Sequence, residues 1–156
     1  NKIFINMMDI RNEDGPLEVI PLENRKSFFN DFNYKDRHNY KSNGNQNLIL
    51  CERGVSMPHT HRSTSRFALD IQAIPALKEI TKFPIISDPS HASFWAPWVS
   101  PLAYASIAAG CDGLIIEMHP NPKKSAVDPL QPLNFEQFTQ LVKQSRKVSK
   151  AINRSI

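Results

Sequence analysis

Residues 83–87 read FPIIS and are followed at once by Asp88-Pro-Ser-His91. A short, continuously apolar run of this kind is typical of a strand buried on both faces, as strands are in a parallel sheet. The same pattern recurs at residues 47–51, before the charged Glu52 and Arg53, and at residues 113–116, before Glu117. The sequence therefore predicts three strands of one parallel sheet.

The segments that separate and follow these runs are typical of helices. Apolar residues recur at helical spacing in residues 71–80. Residues 99–109 are Ala-rich and stop at Gly110, which suits a helix C-cap. A last amphipathic helix is predicted to begin near Asn134. Alternating strands and helices predict an α/β fold.

Composition divides the chain near residue 46. Residues 1–46 are rich in Asn and predict an amino-terminal extension, with short strands at 2–10 and 16–22 and a polar loop. Residues 47–156 form the predicted carboxyl-terminal domain and hold 12 basic and 8 acidic side chains, the whole excess behind the net charge of +4. Many of these bases fall on the last helix without interleaved aromatics, which favours a solvated helix face and no nucleic-acid partner.

The compartment is predicted from what the sequence lacks. No run approaches the roughly 20 apolar residues of a membrane helix, and the first residues lack a signal-peptide pattern. We therefore expect a cytoplasmic protein with no membrane partner. Cys51 and Cys111 lie in apolar, strand-like contexts and are expected to be reduced core thiols.

Polar residues follow each predicted strand. Because the carboxyl ends of parallel strands converge on one face, Arg53, His91 and Glu117 should approach one another there, with Asp88 beside them and Asp128 in the next loop. His91, Glu117 and Asp128 make an imidazole-plus-two-carboxylate set that suits Mn, Fe, Co or Zn. A metal there would polarise a carbonyl oxygen, and Arg53 offers a planar fork for a phosphate or carboxylate.

A structural interpretation of the same residues stays open. In it His91 caps a loop, Glu117 is half-buried with Arg53, and Asp128 only makes a turn with Pro129. Neither interpretation is excluded by spacing alone.

Three further histidines are weaker candidates. His59 and His61 form an H-x-H pair that could bind metal, although an exposed loop after the first strand is the simpler interpretation. His119 follows Glu117 by two residues and is expected to support the site without binding metal.

Three motifs occur together: Cys-Glu-Arg-Gly at 51–54, Asp-Pro-Ser-His at 88–91 and Glu-x-His-Pro-x-Pro at 117–122. With their intervals, they make residues 47–145 resemble the 3-deoxy-7-phosphoheptulonate synthase (DAHP synthase) family. The resemblance implies a (β/α)8 TIM barrel, of which this segment would form the last three strand–helix units. It also implies a metal-dependent transferase that condenses phosphoenolpyruvate with erythrose 4-phosphate in the shikimate pathway of aromatic amino-acid biosynthesis.

The resemblance assigns roles to five residues. His91, Glu117 and Asp128 match the family's metal ligands, and Arg53 matches the arginine that contacts the phosphate of phosphoenolpyruvate. Arg66 matches an arginine at the mouth of the active site. No residue is assigned as a catalytic acid or base.

The sequence also departs from the family pattern. The family's fourth metal ligand, a cysteine on the first barrel strand, is absent, as are its lysine–proline–arginine motif and the lysine before Cys-Glu-Arg-Gly. Three units cannot close an eight-stranded barrel, so we expect an incomplete, weakly active or inactive fragment. Its exposed barrel edges should lead either to self-association or to marginal stability. The alternative is a non-catalytic half-barrel that binds a partner or a phosphate ligand. Residues 7–28 are faintly similar to the phytanoyl-CoA dioxygenase family.

Overall fold

The computed structural model describes residues 2–6, 48–58, 61–63 and 67–155. In chain order the elements are β1 Lys2–Asn6, β2 Leu50–Glu52, β3 Val55–Ser56, β4 Phe67–Ala68, α1 Ala73–Ile80, β5 Ile85–Ser87, α2 Pro89–Ser93, α3 Ala96–Ala108, β6 Gly113–Glu117, a 3₁₀ turn Pro122–Lys124, and α4 Phe135–Ala151. The predicted strand at 16–22 and the polar loop of the extension lie outside these residues.

The main sheet has the strand order β1-β6-β5-β2. Strands β2, β5 and β6 are parallel, so the α/β class and all three predicted strands are confirmed. Strand β1 pairs antiparallel with β6, with Lys2 opposite Glu117 and Asn6 opposite Gly113. β1 thus belongs to the same compact unit as the carboxyl-terminal segment, although the sequence places it in the extension. Of the second unit, Ile10–Ile49, only Leu48 and Ile49 are described.

The two faces of the sheet differ. Ile85, Leu114 and Ile116 are fully buried in one apolar core with side chains of α1, α3 and α4. Their neighbours in sequence, Ile86 and Ile115, point to the opposite face and are only half-buried, because successive strand residues alternate between faces. We call this opposite face, which carries Cys51, Ile86, Ile115 and Glu117, the open face.

The helices begin and end near their predicted positions. Asn134 caps α4 through a capping box with Gln137, each side chain accepting the other's backbone N–H. Gly110 lies beyond α3 with a φ of +95°, a conformation that only glycine adopts without strain. Helix α2 and the two-stranded β3–β4 sheet were not predicted.

The cysteines differ from expectation in one respect. Cys111 is buried as predicted, and burial raises the pKa of its thiol to about 11. Cys51 is exposed on the open face, so its assignment to the core was wrong. In the described part of the chain, none of the helices is both long and apolar enough to cross a bilayer.

Candidate metal centre

Helix α2 is a single turn that begins directly at the end of β5. Its N-cap is Asp88, whose Oδ1 accepts the backbone N–H of His91 at 3.1 Å. Pro89 occupies the first helical position, where its missing N–H costs nothing. The cap and the proline together hold His91 at the carboxyl end of the sheet.

Asp88 also fixes the imidazole of His91. The ring Nδ1 lies 2.8 Å from Asp88 Oδ2 and 3.0 Å from Oδ1, and both side chains are buried. A carboxylate acceptor assigns the proton to Nδ1 and leaves the lone pair on Nε2. Nε2 lies 3.5 Å from Oε2 of Glu117. This carboxylate–imidazole arrangement is the usual support of a metal-binding histidine.

Glu117 ends β6 and is buried at the edge of the open face. Its backbone N–H donates to Ser90 Oγ at 3.0 Å, and its Oε2 accepts from Gln131 Nε2 at 2.6 Å. Gln131 is fully buried, and its Oε1 has no hydrogen-bond partner among the described residues. Ser90 therefore fixes the backbone of Glu117, and Gln131 holds its carboxylate.

Asp128 completes the group from the loop before α4. Among the described residues, His91, Glu117 and Asp128 form one group whose potential ligand atoms all lie within 4.8 Å of one another. Two ligands of one tetrahedral ion stand about 3.4 Å apart when each is about 2.1 Å from it, close to the 3.5 Å between Nε2 and Oε2. One neutral imidazole and two carboxylates fit a first-row divalent metal.

Arg53 approaches the same centre through Asp88. Its Nε donates to Asp88 Oδ2 at 3.1 Å, while 53% of its side chain is exposed. Arg53 thus pairs with Asp88, not with Glu117, and His91 lies inside α2 and does not cap a loop. These contacts correct two parts of the structural interpretation. The predicted turn at Asp128 is present, because its backbone carbonyl accepts the N–H of Gln131 at 3.4 Å. This turn uses only the backbone and leaves the carboxylate of Asp128 able to bind a metal.

The loop that presents Arg53 is tied down by its neighbour. The buried carboxylate of Glu52 accepts the N–H of Gly54 at 2.8 Å and that of Asp70 at 3.0 Å. Burial raises the pKa of this carboxyl above its ordinary value. By accepting these hydrogen bonds, Glu52 holds the loop in shape. The charged side chain of Arg53 is half-exposed at the surface of this loop.

Gly54 gives a test of this loop. Its φ is +102°, and an added Cβ would lie 2.8 Å from Phe67 Cβ and 3.1 Å from Ala92 Cβ. Gly54→Ala is therefore expected to lower the free energy of unfolding by clearly more than the roughly 1–3 kcal/mol of backbone strain alone. Gly110→Ala is the matched control, since its φ is +95° but nothing lies within 4 Å of the added carbon. Urea unfolding of both variants measures the difference, and equal losses would show that the close packing at Gly54 has no effect.

Among the described residues, the other predicted candidates, His61 and His119, do not join the metal-binding group. Arg66 and His59 lie outside the described residues, so their roles stay predictions. His61 is exposed and contacts Trp98 edge-on, with ring centroids 6.4 Å apart. His119 accepts the N–H of Asn121 at 3.0 Å within its own loop.

Two supporting residues had no clear sequence signal. Gln131 lies three residues beyond Asp128 in an irregular segment, and Ser90 is the third residue of the Asp-Pro-Ser-His motif. Both bind Glu117 only because folding brings β5, β6 and the loop before α4 together.

Comparison with known proteins covers the residues that form the candidate metal centre. A model of the DAHP synthetase I family matches residues 30–154. The chain belongs to this family. The match to the DAHP synthetase I family model begins at residue 30, inside the predicted extension of residues 1–46. The resemblance recognised from the motifs begins later, at residue 47.

Individual relatives agree with the family. A phospho-2-dehydro-3-deoxyheptonate aldolase of Thermotoga maritima is 40% identical over 111 residues, which cover 71% of this chain and 32% of the relative. A 2-dehydro-3-deoxyphosphooctonate aldolase of Desulfosudis oleivorans is 32% identical over 111 residues, covering 64% and 38%. The crystal structure of the Thermotoga DAHP synthase superposes with a TM-score of 0.66 over 72% of this chain and 32% of that one. This DAHP synthetase I chain thus spans about a third of the length of these relatives.

Proposed function

We propose that this chain carries the metal centre and part of the phosphoenolpyruvate site of a DAHP synthase. The reaction is the transfer that condenses phosphoenolpyruvate with erythrose 4-phosphate. The observation that carries the proposal is the convergence of His91, Glu117 and Asp128 within 4.8 Å at the carboxyl end of parallel strands. Family membership and the 40% identical relative support the same chemistry.

Each side chain has a defined part in this proposal. His91 offers the lone pair of Nε2, while Glu117 and Asp128 bring two negative charges that balance a divalent cation. Mn, Fe, Co and Zn all suit this donor set, and such a metal supplies Lewis-acid polarisation of a carbonyl oxygen. Arg53 receives the phosphate of phosphoenolpyruvate on its exposed guanidinium, and Arg66 is proposed, by resemblance, at the mouth of the site.

The topology of the sheet supports the inference that the chain forms part of a (β/α)8 barrel. Strands β2, β5 and β6 are parallel neighbours within the main sheet, and among the described residues the side chains of α1, α3 and α4 pack in the core on one of its faces. The site residues lie at the carboxyl ends of the strands, where barrel enzymes place their chemistry. We infer that residues 47–156 are the last three units of such a barrel and residues 1–46 an extension to it.

The open face also suggests association between chains. It carries the half-buried Ile86 and Ile115, and β2 has no second partner strand among the described residues. Apolar faces and unpaired edges favour pairing with another copy of the chain. Sedimentation velocity at increasing protein concentration measures this association.

The 156-residue chain is expected to bind about one divalent metal and to turn over phosphoenolpyruvate at background rate. The site residues are present, but the family's additional cysteine ligand and its lysines are not found in this sequence. Equilibrium dialysis with Mn²⁺ gives the stoichiometry, and loss of phosphoenolpyruvate absorbance in the presence of erythrose 4-phosphate gives the turnover. Absence of bound metal would refute the proposal, whereas rapid turnover would refute only the expected inactivity.

A second candidate is a non-catalytic half-barrel that binds a partner or a phosphate ligand. The half-exposed Arg53 favours it, because a guanidinium at a strand end can hold phosphate without any metal. Inorganic phosphate that binds equally well to wild type and to His91→Ala, with all metal chelated and no metal bound by either protein, would favour this alternative.

A further inference from the structure

Asp88 stands between the two parts of the proposed site. Its side chain is 2% exposed and receives three donors from the described part of the chain: the backbone N–H of His91, the imidazole Nδ1 of His91 and the Nε of Arg53. The first of these contacts caps helix α2. The other two link the half-exposed guanidinium of Arg53 to the imidazole of His91, whose Nε2 faces Glu117. One buried carboxylate therefore contacts both Arg53 and His91.

We propose that Asp88 is a positioning residue that couples an anion site at Arg53 to the metal centre at His91. Phosphate and a divalent metal would then bind this chain with positive cooperativity. The inference rests on the proposed function and adds to it a route by which one ligand prepares the site for the other.

The coupling follows from how Asp88 divides its hydrogen bonds. A phosphate bound to the exposed guanidinium competes with Asp88 for the charge of Arg53. Asp88 then interacts more strongly with its other donor, the Nδ1–H of His91. A stronger bond at Nδ1 makes Nε2 a better electron donor to a cation. By linkage, a metal at His91 must increase the affinity for phosphate by the same factor.

Direct attraction between phosphate and metal would also raise affinity, so the test must separate the two routes. Asp88→Asn keeps an oxygen that can accept the His91 N–H, because Asn is as good an N-cap as Asp. It removes the negative charge that Arg53 and His91 share. Asp112→Asn is the matched control: Asp112 is also buried and paired with cations, Lys78 and Arg154, but it precedes β6 at the opposite end of the strand.

The experiment measures the dissociation constant of Mn²⁺ with and without saturating inorganic phosphate, corrected for metal bound by phosphate in solution. In wild type and in Asp112→Asn, phosphate should tighten Mn²⁺ binding at least about fivefold. Asp88→Asn should bind Mn²⁺ about 10–100-fold more weakly, with no change on adding phosphate. Arg53→Gln removes the cation that competes with His91 for Asp88, so by the same argument it should bind Mn²⁺ more tightly than wild type without phosphate and show no further change when phosphate is added.

Each outcome bears on one of the two claims. If phosphate tightens binding as strongly in Asp88→Asn as in wild type, the attraction is direct and Asp88 does not couple the sites, while the metal centre stands. If wild type binds Mn²⁺ but does not respond to phosphate, the coupling is likewise refuted. If wild type binds no Mn²⁺, the proposed function fails and this inference fails with it. Thermal unfolding of Asp88→Asn and Arg53→Gln shows whether either variant is misfolded.

Discussion

Mn²⁺ binding is expected to weaken by more than about 100-fold when His91 is replaced by alanine. Loss of a residue that only supports a metal ligand costs about 10–100-fold in affinity, and loss of a ligand itself should cost more. His91 is the one nitrogen donor in the group with Glu117 and Asp128. Only the two carboxylates of Glu117 and Asp128 would remain, and two ligands hold a divalent ion more weakly than three. Calorimetric titration of metal into both proteins measures the loss.

His61→Ala is the matched control for this variant. His61 is exposed and lies outside the described metal-binding group, so its removal should leave the affinity unchanged. Equal binding by wild type and His91→Ala would place the site elsewhere. A loss confined to His61→Ala would revive the His59–His61 pair as the metal site.

Ile116→Ala is expected to lower the free energy of unfolding by about 2–5 kcal/mol, the usual cost of truncating a buried isoleucine. Ile116 is fully buried among Ile107, Leu133 and Leu141 on the helix-covered face of β6. The adjacent Ile115 has the same side chain but lies half-buried on the open face. Ile115→Ala should therefore cost clearly less, because a partly exposed side chain loses less burial and leaves no closed cavity.

Urea unfolding of the two variants compares the two faces of the sheet directly. A large difference supports a layer of helices on one side and an open barrel-like face on the other. Equal losses would contradict this arrangement, since they would require both faces to be packed to the same density.

The main strands and helices could be predicted because their signals are local. Three apolar runs end in charged residues, and the last helix begins at a recognisable cap, Asn134. The convergence of His91 and Glu117 then follows from a general rule about parallel strands. These two side chains, 26 residues apart in the sequence, could be placed together without knowledge of their contacts.

Other features depend on contacts that no local pattern encodes. Helix α2 is one turn long and shows no periodicity, and β3 and β4 have two residues each. Strand β1 pairs with β6 across more than a hundred residues. Arg53 pairs with Asp88 and not with Glu117, a choice between two nearby carboxylates that depends on side-chain geometry.

The support of Glu117 by Gln131 was also beyond the reach of the sequence. Gln131 lies in a segment without helical or strand periodicity, and glutamine is more often exposed than buried. Its full burial follows from the packing of the loop before α4 against the end of β6, where Leu133 donates to the carbonyl of Glu117 at 2.9 Å.

The most direct test of the metal centre is pulsed electron paramagnetic resonance of the chain loaded with Mn²⁺. Nitrogen modulation of the electron spin echo reports an imidazole bound to the metal, independently of affinity or activity. We expect the modulation of one imidazole in wild type and in His61→Ala, and none in His91→Ala loaded at high metal concentration. Modulation that persists in His91→Ala, or is absent from metal-loaded wild type, would contradict a metal centre built on His91.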